Sequence, residues 1–159
     1  MLNILLAEDN KVDEVATVEY LKNNLGEVSV KVVPSYKGLL AILETEQLFD
    51  IIILDHILED EQSLKYIEKI KARSNGAEII VLSGQSDISI CIQYLNSGVY
   101  AYLNKENNSF KNLVKNINEI MAKKKGAITY FQVNKTLLYL GIGAALLALF
   151  FVYYYVFKK

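Results

Sequence analysis

The chain has no tryptophan, a single cysteine (Cys91), a single proline (Pro34) and a single histidine (His56) among its 159 residues. One cysteine excludes an internal disulfide and suits a reducing compartment. Acid is missing from residues 123–159, which carry six lysines and sum to +6, whereas residues 1–122 sum to −7. The acidic part repels phosphate backbones, so no nucleic-acid partner is expected. No basic stretch precedes the first apolar run, so no signal peptide is expected. Charge is missing altogether from Thr136 to Phe157. That run accounts for the excess of hydrophobic residues, 52% of the chain. Without it the remainder reads as an ordinary domain.

What is present in the first 122 residues is a strict alternation of strand and helix signals. Leu2–Ala7, Val28–Val33, Ile51–Leu54, Glu78–Leu82 and Val99–Leu103 read as strands, several of them continuous apolar runs as in strands buried on both faces. Between and after them come helix patterns. The first is capped by Asn10, with Val15, Val18, Leu21 and Leu25 on one face. The others lie over Tyr36–Glu46, Gln62–Ala72, Asp87–Asn96 and Ser109–Lys123. Such alternation predicts an α/β fold, a doubly wound (βα)5 parallel sheet of flavodoxin-like order 2-1-3-4-5. No internal repeat or low-complexity segment interrupts it.

In such folds the ligand site lies beyond the carboxyl ends of the strands, at the switch point between the first and third. Here the first strand ends in Glu8-Asp9 and the third in Asp55. Three converging carboxylates raise one another's pKa unless a cation joins them, and hard oxygen ligands favour Mg2+. The same acids exclude a flavin or nucleotide site, which needs a Gly- or Ser/Thr-rich phosphate cradle after the first strand. The fourth strand ends at Ser83, a hydroxyl donor, and the fifth at Lys105, a fixed positive charge. A carboxylate nucleophile, a metal, a hydroxyl and a lysine are what phosphoryl transfer to a carboxylate requires.

Four stretches, Ile4–Asn10, Ile51–Asp55, Val81–Gly84 and Gly98–Lys105, together resemble the receiver domain of bacterial response regulators, over residues 1–122. The resemblance implies that Asp55 is the phosphoacceptor. Asp9 would ligate Mg2+ directly, Glu8 through water, and Ile57 through its backbone carbonyl. Ser83 and Lys105 would bind phosphoryl oxygens, and Tyr102 would be the aromatic that changes rotamer with Ser83. It implies a histidine kinase or phosphotransfer protein as donor and a downstream protein on the Asp87–Lys123 face. The chain departs from the family at Glu106, where a cis proline is usual after the lysine. It departs again at Glu59, where proline is common, and in lacking a glycine near Ser63. These changes put loop geometry and phosphoryl lifetime in question. His56 is expected to point away from the site, in a packing or surface role. Cys91 is expected to be a buried small apolar residue.

The charge-free run of 22 residues spans about 33 Å as a helix, the thickness of a bilayer core. Lysines bracket it, and Tyr139 and Tyr153–Tyr155 lie near its ends like aromatic belts. The expected organisation is therefore a receiver over 1–123, a linker over 124–135 and a transmembrane helix over 136–157. The lysine excess on the receiver side places the receiver in the cytoplasm, on the inner membrane of a bacterium. Gly141 and Ala145, then Ala144 and Ala148, permit two such helices to pair, leaving a homodimer open. The reading is a membrane-tethered, stand-alone receiver that signals through a changed protein-binding face. It is a phosphoacceptor assisting its own Mg-dependent chemistry, not an enzyme with turnover. The alternatives are a phosphorylation-independent adaptor and a haloacid-dehalogenase-type phosphatase; the latter wants a second aspartate where Ile57 stands.

Overall fold

The computed structural model describes the backbone over residues 1–106 and 109–157. Side chains are described within these up to 130 and beyond that at 132, 135, 139, 140, 142 and 147. Two units are described separately, Met1–Asn118 and Glu119–Lys159.

The apolar runs become the parallel sheet of the first unit. Its strands are β1 (Leu2–Ala7), β2 (Val28–Val33), β3 (Ile51–Asp55), β6 (Glu78–Ser83) and β7 (Ala101–Asn104). A two-residue pair, β4 (Ile57–Leu58) and β5 (Glu61–Gln62), forms a separate antiparallel hairpin. The large sheet runs β2-β1-β3-β6-β7, which is the predicted order once the hairpin is set aside. Every residue of β3 is buried, because helices cover both faces. Register follows: Leu6 pairs with Ile53, and Asp55 with Leu82. Strand ends Ala7, Asp55 and Ser83 thus fall along one edge.

The helices are α1 (Lys11–Asn24), α2 (Tyr36–Leu43), α3 (Ile67–Arg73, entered through a 3-10 turn at Ser63–Tyr66), α4 (Ile88–Asn96) and α5 (Ser109–Phe157). Asn10 caps α1, its side chain accepting from the amides of Val12 and Asp13. The inward face of α1 differs from the predicted one. Thr17 and Leu21 are buried while Val15 is exposed. Hydrophobic periodicity weighs a threonine as polar, yet Thr17 is buried here. Ser35 caps α2 and Asp87 caps α4. The last helix buries Leu113, Ile117 and Ile120 as predicted.

The expected linker at 124–135 is helical, within α5. Among the described residues no helix is long and apolar enough to cross a membrane. The span expected at 136–157 is therefore not found there; most of its side chains fall outside the described residues.

Candidate functional site

At the carboxyl edge of the sheet, the ammonium of Lys105 gathers three carboxylates. Its Nζ lies 2.8 Å from Asp55 Oδ2, 2.9 Å from Glu8 Oε2 and 2.6 Å from Asp13 Oδ2. The strand ends explain two of these. Glu8 follows β1, Asp55 ends β3, and Lys105 follows β7 with its amide donating to the Ser83 carbonyl at 2.6 Å. No peptide bond among the described residues is cis, so Lys105–Glu106 is trans. Lys105 nonetheless reaches Asp55.

Asp13 is the group the sequence reading missed. Its signal was present: it stands three residues after the recognised cap Asn10, in the first turn of the helix that directly follows Glu8-Asp9.

The carboxylates of Glu8, Asp55 and Asp9 are also held by backbone amides. Glu8 Oε1 accepts from the Asn10 amide at 3.1 Å, Asp55 Oδ1 from the Ile57 amide at 3.3 Å, and Asp9 Oδ2 from the Glu59 amide at 3.1 Å. Glu59 and Asp60 are the two turn residues of the β4–β5 hairpin, with φ of 53° and 62°. Positive φ at both positions defines a type I′ turn, usually made by Asn-Gly. Two acids occupy it instead, and the Glu59 carboxylate accepts from the Tyr36 amide at the start of α2 at 3.0 Å. The hairpin therefore ties α2 to Asp9. This is what stands where the family commonly has proline.

Glu8 is 1% exposed. Burial pushes its carboxyl up to about 7; the hydrogen bond from Lys105 opposes this and the Asp55 charge adds to it. Burial works against charge on Lys105, yet its bonds to Asp13, Asp55 and Glu8 outweigh burial and raise its pKa. Glu8, Asp9 and Asp55 each offer a carboxylate oxygen, all within 4.8 Å of one another. A small, all-oxygen, anionic donor set of this kind fits a hard divalent cation such as Mg2+. Ile57 lies in β4 beside it.

Ser83 is fully buried, and its Oγ accepts from the Gln85 amide at 2.9 Å. Tyr102 is half-buried, and its hydroxyl reaches the Gln85 carbonyl at 3.4 Å. His56 is turned away from the carboxylates, as predicted, into a core position 1% exposed, which settles packing over surface. Its Nδ1 lies 2.8 Å from the Tyr94 hydroxyl, which lies 2.7 Å from Ser63 Oγ. Its Nε2 has no partner among the described residues. Burial lowers its pKa, with the Asp55 charge opposing. The ring stands edge-on to Tyr102 at 6.1 Å, and Tyr94 tilts against Tyr102 at 5.3 Å. Cys91 is half-buried, less than predicted, since α4 turns it partly outward.

A doubly wound sheet with acids, a hydroxyl and a lysine at its carboxyl edge defines a phosphoacceptor class of α/β protein. The response regulator receiver domain model matches residues 4–118, and the chain belongs to that family. It is 27% identical over 105 residues to the transcriptional regulatory protein MalR of Bacillus subtilis (strain 168), covering 66% of this chain and 44% of MalR. The chain thus spans less than half the length of that curated relative. Among solved structures it resembles the receiver domain of the TMAO respiratory system response regulator TorR (28% identity, TM-score 0.67), covering 77% of this chain and 98% of the other. It also resembles a Burkholderia pseudomallei response regulator with a phosphorylated aspartic acid, calcium ion and citrate (24% identity, TM-score 0.63), covering 78% of this chain and 73% of that one.

Proposed function

We propose that the chain carries a membrane-tethered response-regulator receiver phosphorylated on Asp55. The observation that carries this reading is the Lys105 ammonium 2.8 Å from Asp55 Oδ2, at the edge where Glu8 and Asp9 also converge. A histidine kinase or phosphotransfer protein is the donor. An Asp55 carboxylate oxygen attacks phosphorus, the bond from phosphorus to the donor atom breaks, and the donor leaves with the electron pair. Lys105 neutralises charge on the transferred group, and the Ser83 hydroxyl donates to one of its oxygens. Glu8, Asp9, Asp55 and the Ile57 carbonyl would hold Mg2+. When bound, the ion offsets the negative charge of the carboxylates and of the phosphoryl group.

Drawing Ser83 toward the phosphoryl group frees space for the Tyr102 ring, and that shift reaches a protein partner on the Asp87–Lys123 face. Exposed Ile88, Ile92 and Leu95 on α4 supply apolar surface there. The charge-free run Thr136–Phe157 supports a tether in the bacterial cytoplasmic membrane. Ile128, Tyr130, Tyr139, Leu140, Ile142 and Leu147, large and exposed on α5, are consistent with it.

The test is labelling by acetyl phosphate with and without Mg2+. The wild type gains one phosphoryl group, only with Mg2+, and Asp55→Asn gains none. An unlabelled wild type beside a labelled control receiver sinks the reading. The second reading, an adaptor independent of phosphate, draws on Glu106 in place of proline. Signalling that survives Asp55→Asn would favour it.

A further inference from the structure

We infer that Asp13 is a positioning residue for Lys105, holding the ammonium at the site when the metal ligands are drawn away; this rests on the reading of Asp55 as phosphoacceptor. An ammonium has three donors, and all three of those on Lys105 are taken, by Glu8, Asp55 and Asp13. Two of these acceptors, Glu8 and Asp55, belong to the carboxylate group that can hold a cation. Each therefore has a competing partner. Asp13 lies outside that group and makes the shortest of the three contacts, at 2.6 Å.

The backbone of Lys105 is anchored at its own residue alone, its amide donating to the Ser83 carbonyl and its carbonyl accepting from the Ser109 hydroxyl at 3.0 Å, and neither bond reaches the side chain. Four side-chain torsions separate that backbone from Nζ, and a lysine left without a rigid partner samples many rotamers. Asp13 has the rigidity that is needed. It sits in the first turn of α1, its amide on the Asn10 side chain at 3.3 Å, so its backbone is held by a capped helix and only two side-chain torsions lie between that backbone and the carboxylate. Asp13 and Lys105 also line a cavity of about 170 Å3 with Thr17, Leu82 and Phe110, which leaves the ammonium room to swing elsewhere once released. When Asp55 carries a phosphoryl group, one donor of Nζ passes from Asp55 to a phosphoryl oxygen. The bond to Asp13 keeps the other end of that exchange in place.

The neighbouring acid Glu14 provides the control. It pairs with Lys11, not Lys105. In full-length protein with saturating Mg2+, Asp13→Ala should slow acetyl phosphate labelling about tenfold. Asp13→Glu should recover most of the rate, and Glu14→Ala should stay within twofold of wild type. In metal-free protein labelled with 15N-lysine, the Lys105 ammonium signal should be visible in wild type and broadened in Asp13→Ala. Thermal unfolding reports whether each variant is folded, and for a misfolded Asp13→Ala the isosteric Asp13→Asn replaces it, with an intermediate rate expected. Labelling unchanged by removing the Asp13 carboxylate, or slowed equally by Glu14→Ala, overturns this inference alone. A wild type that takes no label overturns the underlying reading and this inference with it.

Discussion

His56 Nδ1 and the Tyr94 hydroxyl lie 2.8 Å apart within the core, joining the residue after Asp55 to the buried face of α4. Ser63 completes the chain at 2.7 Å from the same hydroxyl. Both neighbours are buried, so neither finds water when Tyr94 loses its oxygen. Tyr94→Phe should therefore destabilise the protein by about 1–3 kcal/mol, the cost of leaving buried polar groups unpaired. Urea unfolding measures it. A change below about 0.3 kcal/mol would show that the chain of bonds contributes nothing net.

Glu8 gives the metal-free protein a pH dependence of defined sign. Its native carboxyl titrates near 7 against an ordinary 4.5. Between these values the native state binds more protons than the unfolded one, so stability falls as pH rises. The stabilisation is full below about pH 4.5 and is lost as pH passes through about 7. The loss is on the order of 1–3 kcal/mol. Glu8→Gln should flatten this part of the profile in EDTA. Because the cation needs the ionised carboxylate, Mg2+ affinity by calorimetry should weaken as pH falls below about 7. An affinity constant from pH 6 to 8 contradicts the assignment.

The hairpin turn carries backbone strain that glycine relieves. Asp60 has φ of 62°, and no described hydrogen bond of its side chain holds it there. Asp60→Gly should stabilise the protein by about 0.5–1 kcal/mol. Glu59→Gly should not, because the Glu59 carboxylate holds the Tyr36 amide. Chemical denaturation of the two variants compares them directly, and equal gains would show that the Tyr36 bond is without weight.

The tail is tested by fractionation. The full chain should resist alkaline carbonate extraction from bacterial membranes, and deletion of residues 136–159 should release it into the soluble fraction. Protease added to spheroplasts should leave the receiver intact. Extraction of the full chain by carbonate rules out an integral span.

The sequence by itself determined the sheet, because continuous apolar runs such as Ile51–Leu54 can be satisfied only by burial on both faces. It also determined the edge at which Glu8, Asp9, Asp55, Ser83 and Lys105 meet, since each falls at or just after a strand end. Tertiary structure decided what those residues touch. Lys105 and Asp13 are 92 positions apart, and only the approach of α1 to the end of β7 reveals that they bond. His56 was legible as turned away from the site, but the Tyr94 hydroxyl that receives it lies 38 positions on. Glu59 looked like a lost proline. Its bonds to Asp9 and Tyr36 depend on a two-residue hairpin too short for periodicity to register. Periodicity reports burial along one element, whereas hydrogen-bond partners are set by how elements pack, and that distance-dependent chemistry exists only in the fold.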